Sequence, residues 1–150
     1  MNRAEAYAAL DDLYAQLPAL ECKGRCHDAC TIIDMSRLER ERIANTTGVN
    51  IPLPLYPIRA MLADGKPRRC PALGPLNTCT VYEVRPLICR AFGMVVTNPH
   101  TPSEGPMMCD YGCIPDGVLS HQEFVRVMMD IYRLSAAITG KERPLPAWLR

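Results

Sequence analysis

The sequence lacks what several large functional classes require. No apolar run approaches the ~18 residues needed to cross a bilayer. The first residues, with Glu5, Asp11 and Asp12, lack the basic-then-apolar pattern of a secretory signal. The expectation is therefore a cytoplasmic protein with no membrane partner. Surplus charge is also missing, with 17 Lys and Arg against 16 Asp and Glu. The concentrated positive potential of non-specific nucleic-acid binders is absent, so nucleic acid is not an expected partner. The one basic run, Lys66-Pro67-Arg68-Arg69, reads first as a solvated loop and only second as a phosphate contact. No paired carboxylates, activated serine or phosphate-cradling glycine loop stands out, and no catalytic residue is assigned.

Aromatic side chains are few, one Trp, six Tyr and two Phe in 150 residues, while fourteen prolines interrupt the chain. Such a length makes one domain, 1–150, able to bury ~70% of its unfolded surface. A large share of it nevertheless cannot lie in regular elements. What the sequence has instead is eight cysteines in three clusters: Cys22, Cys26 and Cys30; Cys70, Cys79 and Cys89; Cys109 and Cys113. In a reducing compartment these bind metal more readily than they form disulfides. Thiolates are the soft ligands of zinc and iron–sulfur centres, and four satisfy either one tetrahedral ion or one cubane cluster. Eight make two sets, or one set with spares.

No C-x2-C spacing occurs; the short spacings are all C-x3-C. That removes the thioredoxin-like redox motif, weakens the zinc ribbon, and matches neither common ferredoxin pattern. Ligands dispersed over three segments suit a bulky cluster at least as well as a compact ion, so a 4Fe–4S cluster is preferred, with zinc as the alternative. Cys26, Cys30, Cys70, Cys79 and Cys89 form the first ligand pool. Cys22, Cys109 and Cys113 complete it or make a second site. His27, inside the first cluster, is a weaker candidate, since thiols already suffice. A site of four thiolates around Zn²⁺ or a [4Fe–4S]²⁺ core carries about −2, which Arg85 and Arg90 are placed to offset. The opposing reading makes both arginines surface or carboxylate-paired.

The chain is organised around Cys70 to Phe92. Cys70 precedes Pro71 and is biased to extended backbone, while Pro86 suits the first turn of a short helix carrying Leu87, Ile88, Cys89 and Phe92. The run Cys79-Thr-Val-Tyr82-Glu83-Val-Arg85-Pro86-Leu-Ile-Cys89-Arg90-Ala-Phe92, with Cys70-Pro71 ahead of it, resembles the YkgJ-like zinc- or iron-chelating cysteine-cluster family. Upstream, Cys22, Cys26 and Cys30, then Ile33 to Ser36 and Glu39, are similar to that family's first cysteine block and the helix after it. Two departures stand out: Thr31 follows Cys30 where the family carries an adjacent cysteine pair, and Cys109 and Cys113 stand where it has a single late cysteine. The resemblance covers roughly residues 22 to 113. It implies a metal-binding cysteine cluster and no defined reaction. Three roles follow: a redox or cluster-handling protein, a zinc-stabilised structural or interaction module with a protein partner, or an accessory domain to a methylating enzyme.

The expected fold is mainly α, a small irregular single domain with short helices and loops around a cysteine metal centre. Its core spans about 20–140, with 141–150 as a tail in which Trp148 is an anchor. A helix over 3–17 places Ala6, Leu10, Leu13, Tyr14 and Leu17 on one side. Capping boxes at Ser36/Glu39 and Ser120/Glu123 open two more, ended by Gly48 and Gly140. The second of these carries Phe124, Val127, Met128, Ile131, Leu134 and Ile138 on one face, and the first presents Arg37, Glu39, Arg40, Glu41 and Arg42 as a solvated face. The stretch from Cys22 to Cys30 is either a helical stripe or a loop feeding a short turn. A short helix is expected over Ile58–Ala63 and a strand over Met94–Thr97.

Overall fold

The computed structural model describes residues 1–22, 24–25, 27–31, 33–52, 62–63, 66–67, 69–92, 94 and 112–140. The protein is mainly α. Helix α1 spans Arg3–Tyr14. Its start is set by Asn2, whose Oδ1 accepts the Glu5 N–H at 2.9 Å while Glu5 Oε2 accepts the Asn2 N–H at 2.8 Å. This reciprocal cap was readable as Asn-x-x-Glu. The apolar pattern continues to Leu17, but the chain tightens there, with Gln16 and Leu17 donating to Leu13 and Tyr14. Ala6, Leu10 and Tyr14, one every fourth residue, are buried. The core therefore reaches back beyond the boundary near residue 20.

Helix α2, Arg37–Thr47, and the later helix His121–Thr139 both open on the expected capping boxes. Gly48 (φ 74°) and Gly140 (φ 65°) end them in the left-handed conformation that a side chain would strain. A short 3₁₀ turn, His27–Ala29, precedes α2, and a second, Tyr82–Val84, and a five-residue helix α3, Leu87–Ala91, lie between α2 and the later helix; the long C-terminal helix is α4. Helices α1 and α4, from opposite ends of the chain, pack together, and α2 packs on α4. Arg3 Nη1 reaches the Ile138 carbonyl at 3.0 Å, and Ser135 Oγ accepts the Leu38 N–H at 3.0 Å. Ser135 is fully buried, so this bond fastens the start of α2 to α4 from inside.

Two apolar clusters result. The larger joins Leu10 and Tyr14 of α1, Leu87 and Ala91 of α3, Met94, Leu119, and Phe124, Val127, Met128, Ile131 and Tyr132 of α4. The smaller holds Met35, Ile43, Ile51, Ala72 and Val81, with Cys70 and Cys79 packed against it.

Three expectations change. Leu62–Ala63 is not helical but the first strand (β1) of a two-residue antiparallel ladder with Lys66–Pro67 (β2). The intervening sequence Asp64-Gly65 is a strong two-residue hairpin signal, which outweighs the weak helical pattern before it. Glu39 does not belong to the solvated face of α2; it is 3% exposed. It stands three residues after Ser36 and four before Ile43, on the inner side. Met94 lies buried in a turn, its carbonyl accepting the Leu119 N–H at 2.8 Å; the rest of the expected strand, the tail 141–150 and residues 58–61 lie outside the described residues. Among the described residues, no helix is long and apolar enough to cross a membrane.

Candidate metal centre

The thiols are placed by short-range backbone devices. After the 3₁₀ turn at His27–Ala29, the Cys30 carbonyl accepts the Cys70 N–H at 2.9 Å, next to a Thr31–Arg69 bridge. The first and second cysteine clusters are joined there. Beyond Cys70 the chain folds back on itself. Gly74 donates to Thr78 at 2.9 Å, Thr80 donates to Ala72 at 2.8 Å, and Leu73 bridges Cys79. Asn77 takes the left-handed conformation at the tip (φ 58°), which an asparagine tolerates. Arg69 Nη2 clamps this turn by donating to Gly74 O at 3.2 Å and Asn77 Oδ1 at 2.7 Å. Arg69, from the run read as a solvated loop, is thus a structural clamp.

Cys89 arrives from the other side on α3. Leu87 and Ala91, four residues apart, face the larger cluster and are buried. Two residues on a helix turn ~200°, so Cys89 faces the opposite way. That is the direction of Cys70 and Cys79, which lie against the smaller cluster. The thiols consequently occupy the seam between the two cores.

Their electrostatics show the grouping. Burial pushes the Cys89 thiol up to about 12; Cys70 and Cys79 add to the shift, Arg85 opposes it, and Cys30 adds again. Burial also raises the Cys70 thiol, against backbone N–H groups that lower it, with Cys79 contributing upward. Cys30, Cys70 and Cys79 are thus within electrostatic reach of Cys89, and Cys79 within reach of Cys70. Among the described residues, no three Cys, His, Asp or Glu side chains are drawn close enough to enclose an ion outright.

Arg85 lies flat over Tyr82, 3.6 Å from the ring centroid. Its Nε is buried and has no hydrogen-bond partner among the described residues. An orphaned cationic donor whose charge acts on Cys89 is an arrangement that an anionic thiolate centre fits. Arg90 spends its donors elsewhere, on the carbonyls of Arg85 at 2.7 Å and Glu83 at 2.8 Å.

The remaining expected ligands divide. Cys22 is half-buried, its Sγ accepting the Gly24 N–H at 3.3 Å, and Cys113 is buried. Leu20 bridges Pro115, and Asp116 donates to the Ala19 carbonyl at 3.0 Å. Cys26 and Cys109 lie outside the described residues. His27 pairs with Asp28 at 3.2 Å. None of the six described cysteines is joined in a disulfide.

The sequence model of the CxxCxxCC family, described as "Putative zinc- or iron-chelating domain", matches residues 21–122. The chain belongs to this family. It is a metal-binding cysteine-cluster protein. No curated protein and no solved structure matches it. The CxxCxxCC match begins one residue before Cys22 and ends in the first turn of α4, so it contains all eight cysteines. The first block departs from the spacing in the family's name, with three residues between Cys22, Cys26 and Cys30 and Thr31 after them. Sequence reasoning missed Glu39 as an interior acceptor that bonds the first residue of α3. The signal was its place between Ser36 and Ile43, which an i, i+3, i+7 count would have found.

Proposed function

We propose that residues 1–150 act as one cytoplasmic metal-binding unit in which Cys30, Cys70, Cys79 and Cys89 hold the metal, a [4Fe–4S] cluster before Zn²⁺. The observation carrying this reading is the backbone bond that ties the Cys30 segment to Cys70, with Cys70 and Cys79 packed on the smaller core and all three thiols acting on Cys89. Four thiolates complete either centre. A cluster, when bound, supplies one-electron redox chemistry or a transferable group, which suits a redox or cluster-handling role. The chain's own part is to hold four soft donors in a seam, with Arg85 opposing their negative charge. Zinc is the second reading because the family description names either metal; it would make the centre a structural crosslink between the two cores.

Anaerobic purification with elemental analysis for iron, zinc and labile sulfide decides between them. Iron with matching sulfide and a visible absorption that bleaches on reduction supports the cluster. One zinc per chain without colour supports the crosslink. Metal-free folded protein with oxidised cysteines overturns both.

A further inference from the structure

Helix α3 carries Cys89, yet it is too short to fix itself. The first N–H groups of any helix lack partners within it, and in five residues these are most of the total. Pro86, at the N-cap, makes no side-chain cap. The missing acceptor comes from α2. Glu39 Oε1 takes the Leu87 N–H at 2.7 Å across 48 residues of sequence. The same oxygen accepts the Tyr14 hydroxyl at 2.8 Å, and Oε2 accepts the Ser36 N–H at 2.8 Å. A carboxylate offers acceptors only, and here three donors, from α1, α3 and the N-cap of α2, meet it in a buried position. Its negative charge also stands at the favourable end of α3.

We propose that Glu39 is a positioning residue for the thiol centre: by holding the Leu87 N–H it sets the rotation of α3, and thereby aims Cys89 at Cys70 and Cys79. The inference rests on the metal-binding reading. It goes further in assigning a distant, non-ligating carboxylate to the quality of the site.

The test compares Glu39→Gln with Tyr14→Phe. The amide places an NH₂ against either the Leu87 N–H or the Ser36 N–H, donor against donor. Tyr14→Phe removes the phenol bond and leaves the Leu87 bond intact. Both proteins are loaded with Co²⁺, and its loss to a chelator is followed by the sulfur-to-cobalt absorption. Glu39→Gln is expected to release the ion ~10–100-fold faster, the range for lost outer-shell partners, and Tyr14→Phe to stay close to the parent. In metal-free protein, alkylation of Cys89, read by mass spectrometry, should accelerate in Glu39→Gln alone. Equal melting losses in both variants, with unchanged Co²⁺ release and Cys89 alkylation, would make Glu39 a core bond only and overturn the proposal. Should Glu39→Gln fail to fold, the parent decides: coupling is reciprocal, so Co²⁺ must slow amide exchange at Leu87, and an unchanged rate overturns the proposal. A parent that takes up no metal at all defeats the metal-binding reading instead, and the alkylation comparison still judges Glu39.

Discussion

The guanidinium of Arg90 lies 4.3 Å from the centroid of the Tyr14 ring, so a residue of the cysteine segment rests on the first helix. The same guanidinium ties the Arg85 and Glu83 carbonyls, which form the lead-in to α3. Arg90→Ala removes two charge-assisted bonds and a cation–π contact and should destabilise the fold by about 2–3 kcal/mol. Arg90→Lys should recover little, because an ammonium cannot present two donors in a fixed plane. Urea denaturation of the three proteins checks both statements.

Tyr14 gives the fold an alkaline limit. Burial, then the charge of Glu39 and then the bond to it, raise the phenol well above its ordinary value. A group whose folded value exceeds its unfolded one contributes stability fully below about pH 10 and loses it as pH rises through the folded value. The parent should therefore weaken above about pH 10 relative to Tyr14→Phe, although at neutral pH the variant is the less stable by about 1–2 kcal/mol. Denaturation midpoints against pH, with phenolate absorbance alongside, read the crossover directly.

Ser135 is a buried hydroxyl serving a backbone donor of another helix. Ser135→Ala leaves the Leu38 N–H without that acceptor and should cost about 1–3 kcal/mol, whereas metal content should not change. Thermal melting with parallel metal analysis separates the two effects.

Cys79 and Cys113 offer a direct contrast between seam and core. If Cys79 holds the metal as proposed, Cys79→Ser replaces a soft donor by a hard one and should lose metal and stability together. Cys113→Ala changes a buried residue outside the four-thiol group and should retain the metal with a modest drop in melting temperature. Elemental analysis of each purified variant, together with its melt, provides the check.

Much of this architecture was legible because it depends on local chemistry. The Ser36 and Ser120 caps, the glycines that end their helices and the apolar face of α4 are written within a few residues of where they act. So is the short helix that follows Pro86. Less legible was anything requiring a distant partner. Glu39 looked like one charge in an alternating row, and only the arrival of Tyr14 and Leu87 makes it an interior acceptor. Arg85 and Arg90 were equivalent in sequence, but one stacks on Tyr82 with its charge acting on Cys89 and the other binds carbonyls. The grouping of Cys30 with Cys70 depends on a backbone bond spanning forty positions, which no spacing rule encodes.

The pairing of α1 with α4 also has a consequence for biosynthesis. The inward face of α1 packs on α4, and Arg3 meets Ile138 only when the segment carrying α4 has left the ribosome. Contacts of such long sequence separation close late and slowly. Every cysteine, from Cys22 to Cys113, is translated before α4. The nascent chain must thus present its thiols to the cell before the scaffold that orients them is complete.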